Sequence, residues 1–223
     1  MLPTRKPVLC YVTDRHGLQR PQSSTAPSAK LPFHGLREAI RNAAAAGATW
    51  IQIREKDLEA RELTGLVRRA VEDTQSTGAR ILVNDRLDVA LAANAAGIHL
   101  GEKSLPLGAV AEWRRSSGRR DFLIGVSCHS LEAARAAELG GADYVFFGPV
   151  FATPSKAAFG PPQGLDRLRE VCAAVKIPVV AIGGVNLENA RACLDAGAAG
   201  IAAIRLFQEA RSAGEIAARL SAI

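Results

Sequence analysis

"AELGGADYVFF", residues 137–147, contains the end of a helix, a turn and the start of a strand. Ala, Glu and Leu favour a helix. The Gly pair suits the left-handed residue that closes one. The aromatic and β-branched run that follows reads as a buried strand. The same joint recurs as "AAAAGATWIQI" (43–53), "AANAAGIHL" (92–100) and "CLDAGAAGIAAI" (193–204). In each, a helix ends at Gly, a small residue follows and a strand begins.

Working outward, eight β-rich runs appear: "VLCYVT" (8–13), "WIQIR" (50–54), "RILVN" (80–84), "GIHL" (97–100), "FLIGVS" (122–127), "YVFFG" (144–148), "PVVAIGG" (178–184) and "GIAAI" (200–204). Segments rich in Ala, Leu, Glu and Arg separate them, the last being "EARSAGEIAARLSA". Such alternation implies parallel strands joined by helical crossovers. Eight units in 223 residues predict a single-domain (β/α)8 TIM barrel over 1–223. A doubly wound sheet is the alternative, weakened because no G-x-G-x-x-G follows the first strand. Two segments interrupt the rhythm. Residues 20–32 read as a mobile Pro/Ser-rich loop after strand one, and 152–164 as a rim loop after strand six.

Composition narrows the class. Hydrophobic residues make up 48% and aromatics 5%, so the core must rest on aliphatic side chains. The four cysteines (Cys10, Cys128, Cys172, Cys193) form no C-x-x-C pair and suit a reducing cytoplasm. No run approaches a membrane span. The net charge of +6 includes Arg pairs without interleaved aromatics, which reads as solvated helix faces rather than a nucleic-acid surface. The surplus favours the approach of phosphorylated small molecules. Homo-oligomerisation is compatible with all of this.

In a barrel the strand ends converge on one mouth. Along "WIQIREK" (50–56), Gln52, Arg54 and Lys56 share a parity, so one strand face would carry an amide and two cations. Lys156 adds a third cation. Together these suit a multiply charged anion such as a diphosphate. Asp85 either pairs with Arg86 or Arg54, or holds Mg2+ beside substrate phosphate. Gly183–Gly184 and the turn near Ile204 offer backbone N–H groups to a phosphate. His129 is either a general acid–base or a structural donor. His99 reads as structural.

Set in order, "YVTD" (11–14), "QIREK" (52–56), "VNDRLDVAL" (83–91), "GIHLGE" (97–102), "GVSCHS" (125–130), "GADYVFFGPVFATPSK" (141–156) and "AIGGV" (181–185) resemble the thiamine phosphate synthase family and its sister, the TenI-type thiazole tautomerases. The resemblance implies a transferase of thiamine biosynthesis. It would join hydroxymethylpyrimidine diphosphate to thiazole phosphate and release pyrophosphate, with Mg2+ as cofactor. It implies Gln52 on the pyrimidine side. Arg54, Lys56, Asn84, Ser127 and Lys156 would contact the diphosphate, and Asp85 the Mg2+. Thr153, Ser155, Gly183, Gly184, Ile204 and Arg205 would hold the thiazole phosphate. In a tautomerase, His129 would shuttle a proton instead.

Two positions depart from the synthase pattern. The family's G-Q-x-D after strand four is "GEKS" here, so Ser104 replaces a metal-binding Asp; Glu102 is expected to supply the missing carboxylate. Arg205 and Leu206 replace Ser and a small residue. Both departures lean toward the tautomerase. The full cationic set favours the synthase, and a non-catalytic precursor sensor is the third reading.

Overall fold

The computed structural model describes residues 6–18, 33–153, 161–210 and 212–221. Eight strands run β1 Val8–Val12, β2 Trp50–Ile53, β3 Arg80–Asn84, β4 Gly97–Leu100, β5 Leu123–Cys128, β6 Tyr144–Phe147, β7 Val179–Ile182 and β8 Gly200–Ala203. The helices between and after them are α1 His34–Ala45, α2 Ala60–Thr74, α3 Leu87–Ala92, α4 Leu107–Ser116, α5 Leu131–Leu139, α6 Gly164–Ala174, α7 Ala190–Asp195, α8 Arg205–Gln208 and α9 Ala213–Leu220. Each strand pairs in parallel with the next, and β8 returns to β1, closing the barrel in chain order.

Strand alternation divides the apolar side chains into two sets. Ile51, Ile53, Ile81, Val83, Ile98 and Ile124 point outward into the layer beneath the helices. Cys10, Val12, Leu82, Tyr144, Phe146, Val180 and Ala202 fill the interior. Aromatic rings occupy part of that interior: Trp50 and Tyr144 lie 4.5 Å apart, and Tyr144 and Phe146 5.4 Å. The interior is thus a packed core and not a pore.

The repeated helix-to-strand joint holds with one exception. Gly47, Gly141 and Gly197 take positive φ at 101°, 91° and 98°. Before β4 the left-handed residue is Asn94 (φ 52°), while Gly97 lies inside the strand. There a Cβ would sit 2.3 Å from the Leu123 carbonyl oxygen, so this glycine serves strand contact and not helix termination.

β2 stops at Ile53, leaving Arg54 just beyond the strand and Lys56 in the following turn. The 20–32 loop lies outside the described residues, as do Ser155, Lys156 and the rest of 154–160. Among the described residues no helix is long and apolar enough to cross a membrane. All four cysteines are free.

Candidate active site

Four polar side chains project inward from the C-terminal halves of consecutive strands. Gln52, on the inward parity of β2, is 2% exposed. Its Nε2 donates to Asn84 Oδ1 on β3 at 2.9 Å. Asn84 Nδ2 then donates to Asp85 Oδ2 at 2.7 Å. On β4 and β5, His99 Nε2 meets Ser127 Oγ at 2.9 Å. Burying an amide on a strand costs free energy unless its hydrogen bonds are met. Here Asn84 meets one of them, and no buried side-chain nitrogen or oxygen among the described residues lacks a partner.

Asp85 sits at φ 62°, where a non-Gly side chain is strained. Ser104 Oγ donates to its Oδ1, and Gly101 N lies 3.3 Å from the same oxygen. Pairing with Arg86 does not occur: Arg86 instead forms a fork with Asp88, at 2.9 and 2.6 Å. Glu102 does not form a carboxylate pair with Asp85 either. Its side chain is 68% exposed, with Oε1 3.7 Å from His129 Nε2. Ser104 therefore takes the place beside Asp85 that Glu102 was expected to share. No cluster of three metal-ligating side chains forms among the described residues.

His129 Nδ1 is in contact with the Gly148 carbonyl oxygen, which accepts from it. That contact places the Nδ1 proton and turns Nε2 toward Glu102. Gly183 and Gly184 adopt φ 91° and 67°, and a Cβ on either would strike the Pro149–Ala152 segment. Ile204 packs at the edge of the interior cluster, Arg205 is exposed and Thr153 is half-buried.

The polar row of β2 and its turn grades outward from the buried amide of Gln52 through half-buried Arg54 to exposed Lys56. Among the described residues no carboxylate lies within ion-pairing distance of Arg54 or Lys56. A buried carboxylate that the polar run of β2 does not reveal steadies them. Glu55, between the two, is 4% exposed. It accepts from Thr13 Oγ1 at 2.7 Å and from the backbone and side chain of Arg15 at 3.1–3.2 Å. Thr13 Oγ1 in turn accepts from Arg54 N at 3.0 Å. Polar residues just past two adjacent strands, Thr13 after β1 and Glu55 after β2, were the available signal.

Burial pushes His99 from 6.5 down to about 3; the Arg54 charge adds to this and Asp85 opposes it. The imidazole is therefore neutral in the fold. Below pH 6.5 the unfolded chain binds a proton that the fold excludes, so stability falls with pH until about pH 3. At about pH 5 the expected loss is about 2 kcal/mol. Denaturant melts at about pH 7 and pH 5 should show it, and His99→Gln should remove that component.

A closed parallel barrel with a polar, strained and cation-flanked mouth defines a (β/α)8 protein of the kind that works at its C-terminal rim. The family model described as thiamine monophosphate synthase matches residues 26–207. The chain belongs to that family. It is 50% identical over 169 residues to a putative thiamine-phosphate synthase of Geobacter sulfurreducens, covering 76% of this chain and 78% of that protein. It is 46% identical over 183 residues to the thiamine-phosphate synthase of Moorella thermoacetica, covering 82% and 85%. The thiamine phosphate pyrophosphorylase structure from Pyrococcus furiosus superposes with a TM-score of 0.79 at 35% identity, covering 96% and 93%.

Proposed function

We infer that this chain is a thiamine-phosphate synthase, coupling hydroxymethylpyrimidine diphosphate to thiazole phosphate with release of pyrophosphate. The observation that carries the reading is the hydrogen-bonded row Gln52–Asn84–Asp85 beside an Arg54 with no carboxylate partner among the described residues. A multiply charged leaving group needs cations that are not already neutralised, next to groups held in place beforehand.

Gln52 orients the pyrimidine. Arg54, Lys56 and Lys156 neutralise the diphosphate as the bond to the pyrimidine methylene breaks, with Asn84 and Ser127 as further contacts. Departure leaves a pyrimidine-methyl cation, and the thiazole nitrogen attacks it. Gly183, Gly184, Ile204, Arg205, Thr153 and Ser155 hold the thiazole phosphate so that the nitrogen faces that carbon. The chemistry demands charge stabilisation more than proton transfer, so His129 serves the mouth as a fixed hydrogen-bonding group.

Asp85, with the Ser104 hydroxyl beside it, fits Mg2+ of the kind bound by one carboxylate, water and substrate phosphate oxygens. Glu102 would join such a set only by leaving His129. The ion would supply Lewis-acid stabilisation of the departing charge. Four free thiols suit a cytoplasmic enzyme, and its partners are the two phosphorylated substrates.

The test incubates the protein and Mg2+ with thiazole phosphate, with and without the pyrimidine diphosphate. Coupled product that appears only with both substrates is the expected result. Isomerisation of a thiazole carboxylate phosphate without pyrimidine would make the chain a tautomerase, and binding without turnover a sensor.

A further inference from the structure

The interior carries a hydrogen-bonded line that the reaction does not explain. Tyr144, on β6, is fully buried, and its hydroxyl lies 3.2 Å from His99 Nδ1. His99 Nε2 lies 2.9 Å from Ser127 Oγ. The three groups span β4, β5 and β6 and end at a side chain of the mouth. We propose that Tyr144 and His99 are positioning residues that hold the Ser127 hydroxyl proton outward, toward the diphosphate. The proposal rests on the placement of Ser127 at the diphosphate.

Donors and acceptors decide the tautomer. A neutral imidazole has one N–H and one bare nitrogen. Tyr144 is 1% exposed and His99 2%, and among the described residues neither side chain hydrogen-bonds to a carboxylate, so the buried phenol keeps its proton and the imidazole stays neutral. Among the described residues the Tyr144 hydroxyl has His99 Nδ1 as its one hydrogen-bond partner. If Nδ1 carried the proton, the buried phenol O–H would have no acceptor, so Tyr144 donates and Nδ1 is bare. Nε2 then carries the proton and donates to Ser127 Oγ. The serine oxygen is engaged as an acceptor, and its own O–H is free to donate to a phosphoryl oxygen. In the other tautomer Ser127 would donate inward and present only lone pairs to an anion, which repels it.

The surroundings fit a seat made for this phenol. A Cβ on Gly125 would fall 2.0 Å from Tyr144 Cζ and 2.3 Å from its oxygen, so the strand beside His99 leaves room for it. The His99 ring packs against Phe146, tilted by 36° at 4.3 Å between centroids, which limits its rotation.

The experiment has a spectroscopic and a binding arm, both on the full chain. Nitrogen-15 NMR of the wild-type imidazoles, with His99 assigned by its loss in His99→Gln, is expected to show Nε2 protonated and Nδ1 bare. The opposite tautomer in the wild-type chain overturns the proposal. In the second arm, pyrophosphate with Mg2+ is titrated calorimetrically. Ser127→Ala is expected to weaken its Kd about tenfold, and Tyr144→Phe about three- to tenfold. In the Ser127→Ala background, Tyr144→Phe should add nothing. If Ser127→Ala leaves Kd unchanged, the placement of Ser127 fails and the proposal with it. If Ser127→Ala weakens binding and Tyr144→Phe does not, the relay alone is wrong.

Discussion

Arg54→Ala is expected to lower kcat/KM for coupling by roughly two to three orders of magnitude, or about 3–4 kcal/mol. Most of that loss should fall on kcat, because charge on the leaving diphosphate is greatest as the bond breaks. The geometry supports so large an effect. Arg54 lies half-buried at the mouth, near enough to His99 to oppose its protonation, and no carboxylate among the described residues neutralises it. A cation in such a setting is less screened than one on an open surface. Arg54→Lys keeps the charge and loses the planar fork, so it should recover about one order of magnitude. Steady-state kinetics with each substrate varied in turn checks this. A loss below about tenfold for Arg54→Ala would take Arg54 away from the diphosphate.

The barrel and half of the mouth were legible in the sequence for a common reason: both follow from local periodicity. The eight runs match eight strands within two residues at each end, because β-branched runs between helix terminators leave little else for the chain to form. The alternation that sends Ile51 and Ile53 outward also sends Gln52 inward, so its place was readable from parity. What escaped depends on contacts far apart in the chain. Ser104 reaches Asp85 only because the loop after β4 folds back over the end of β3. Glu55 looks like part of a solvent-facing polar run, and its burial depends on Thr13 and Arg15, about forty residues earlier. His99 was read as structural. That holds for its burial but misses its contact with Ser127, since a hydrogen bond between neighbouring strands depends on register that no single strand encodes.

Glu55→Ala should cost about 3 kcal/mol of stability, lowering Tm by roughly 6–12 °C. The carboxylate at that position is 4% exposed and collects the Thr13 hydroxyl, the Arg15 amide and the Arg15 guanidinium. Its removal leaves those donors facing a cavity, and each orphaned donor carries its own desolvation penalty. The cost stays at the low end of the range for broken buried pairs because Arg15 keeps Asp57 as a partner and is itself 21% exposed. Asp57→Ala, at the exposed end of the same network, should change stability little. Glu55→Gln keeps an acceptor for Thr13 and should recover part of the loss, as a thermal melt would show. Activity should fall as well, by a route that leaves chemistry untouched: Thr13 Oγ1 holds the Arg54 amide, so losing Glu55 frees the turn that aims Arg54 and Lys56. In that case Glu55→Ala and Arg54→Ala are not additive in kcat, because a mispositioned guanidinium and an absent one fail the same leaving group. Full additivity would mean that Glu55 supports the barrel wall and has no part in aiming the cations.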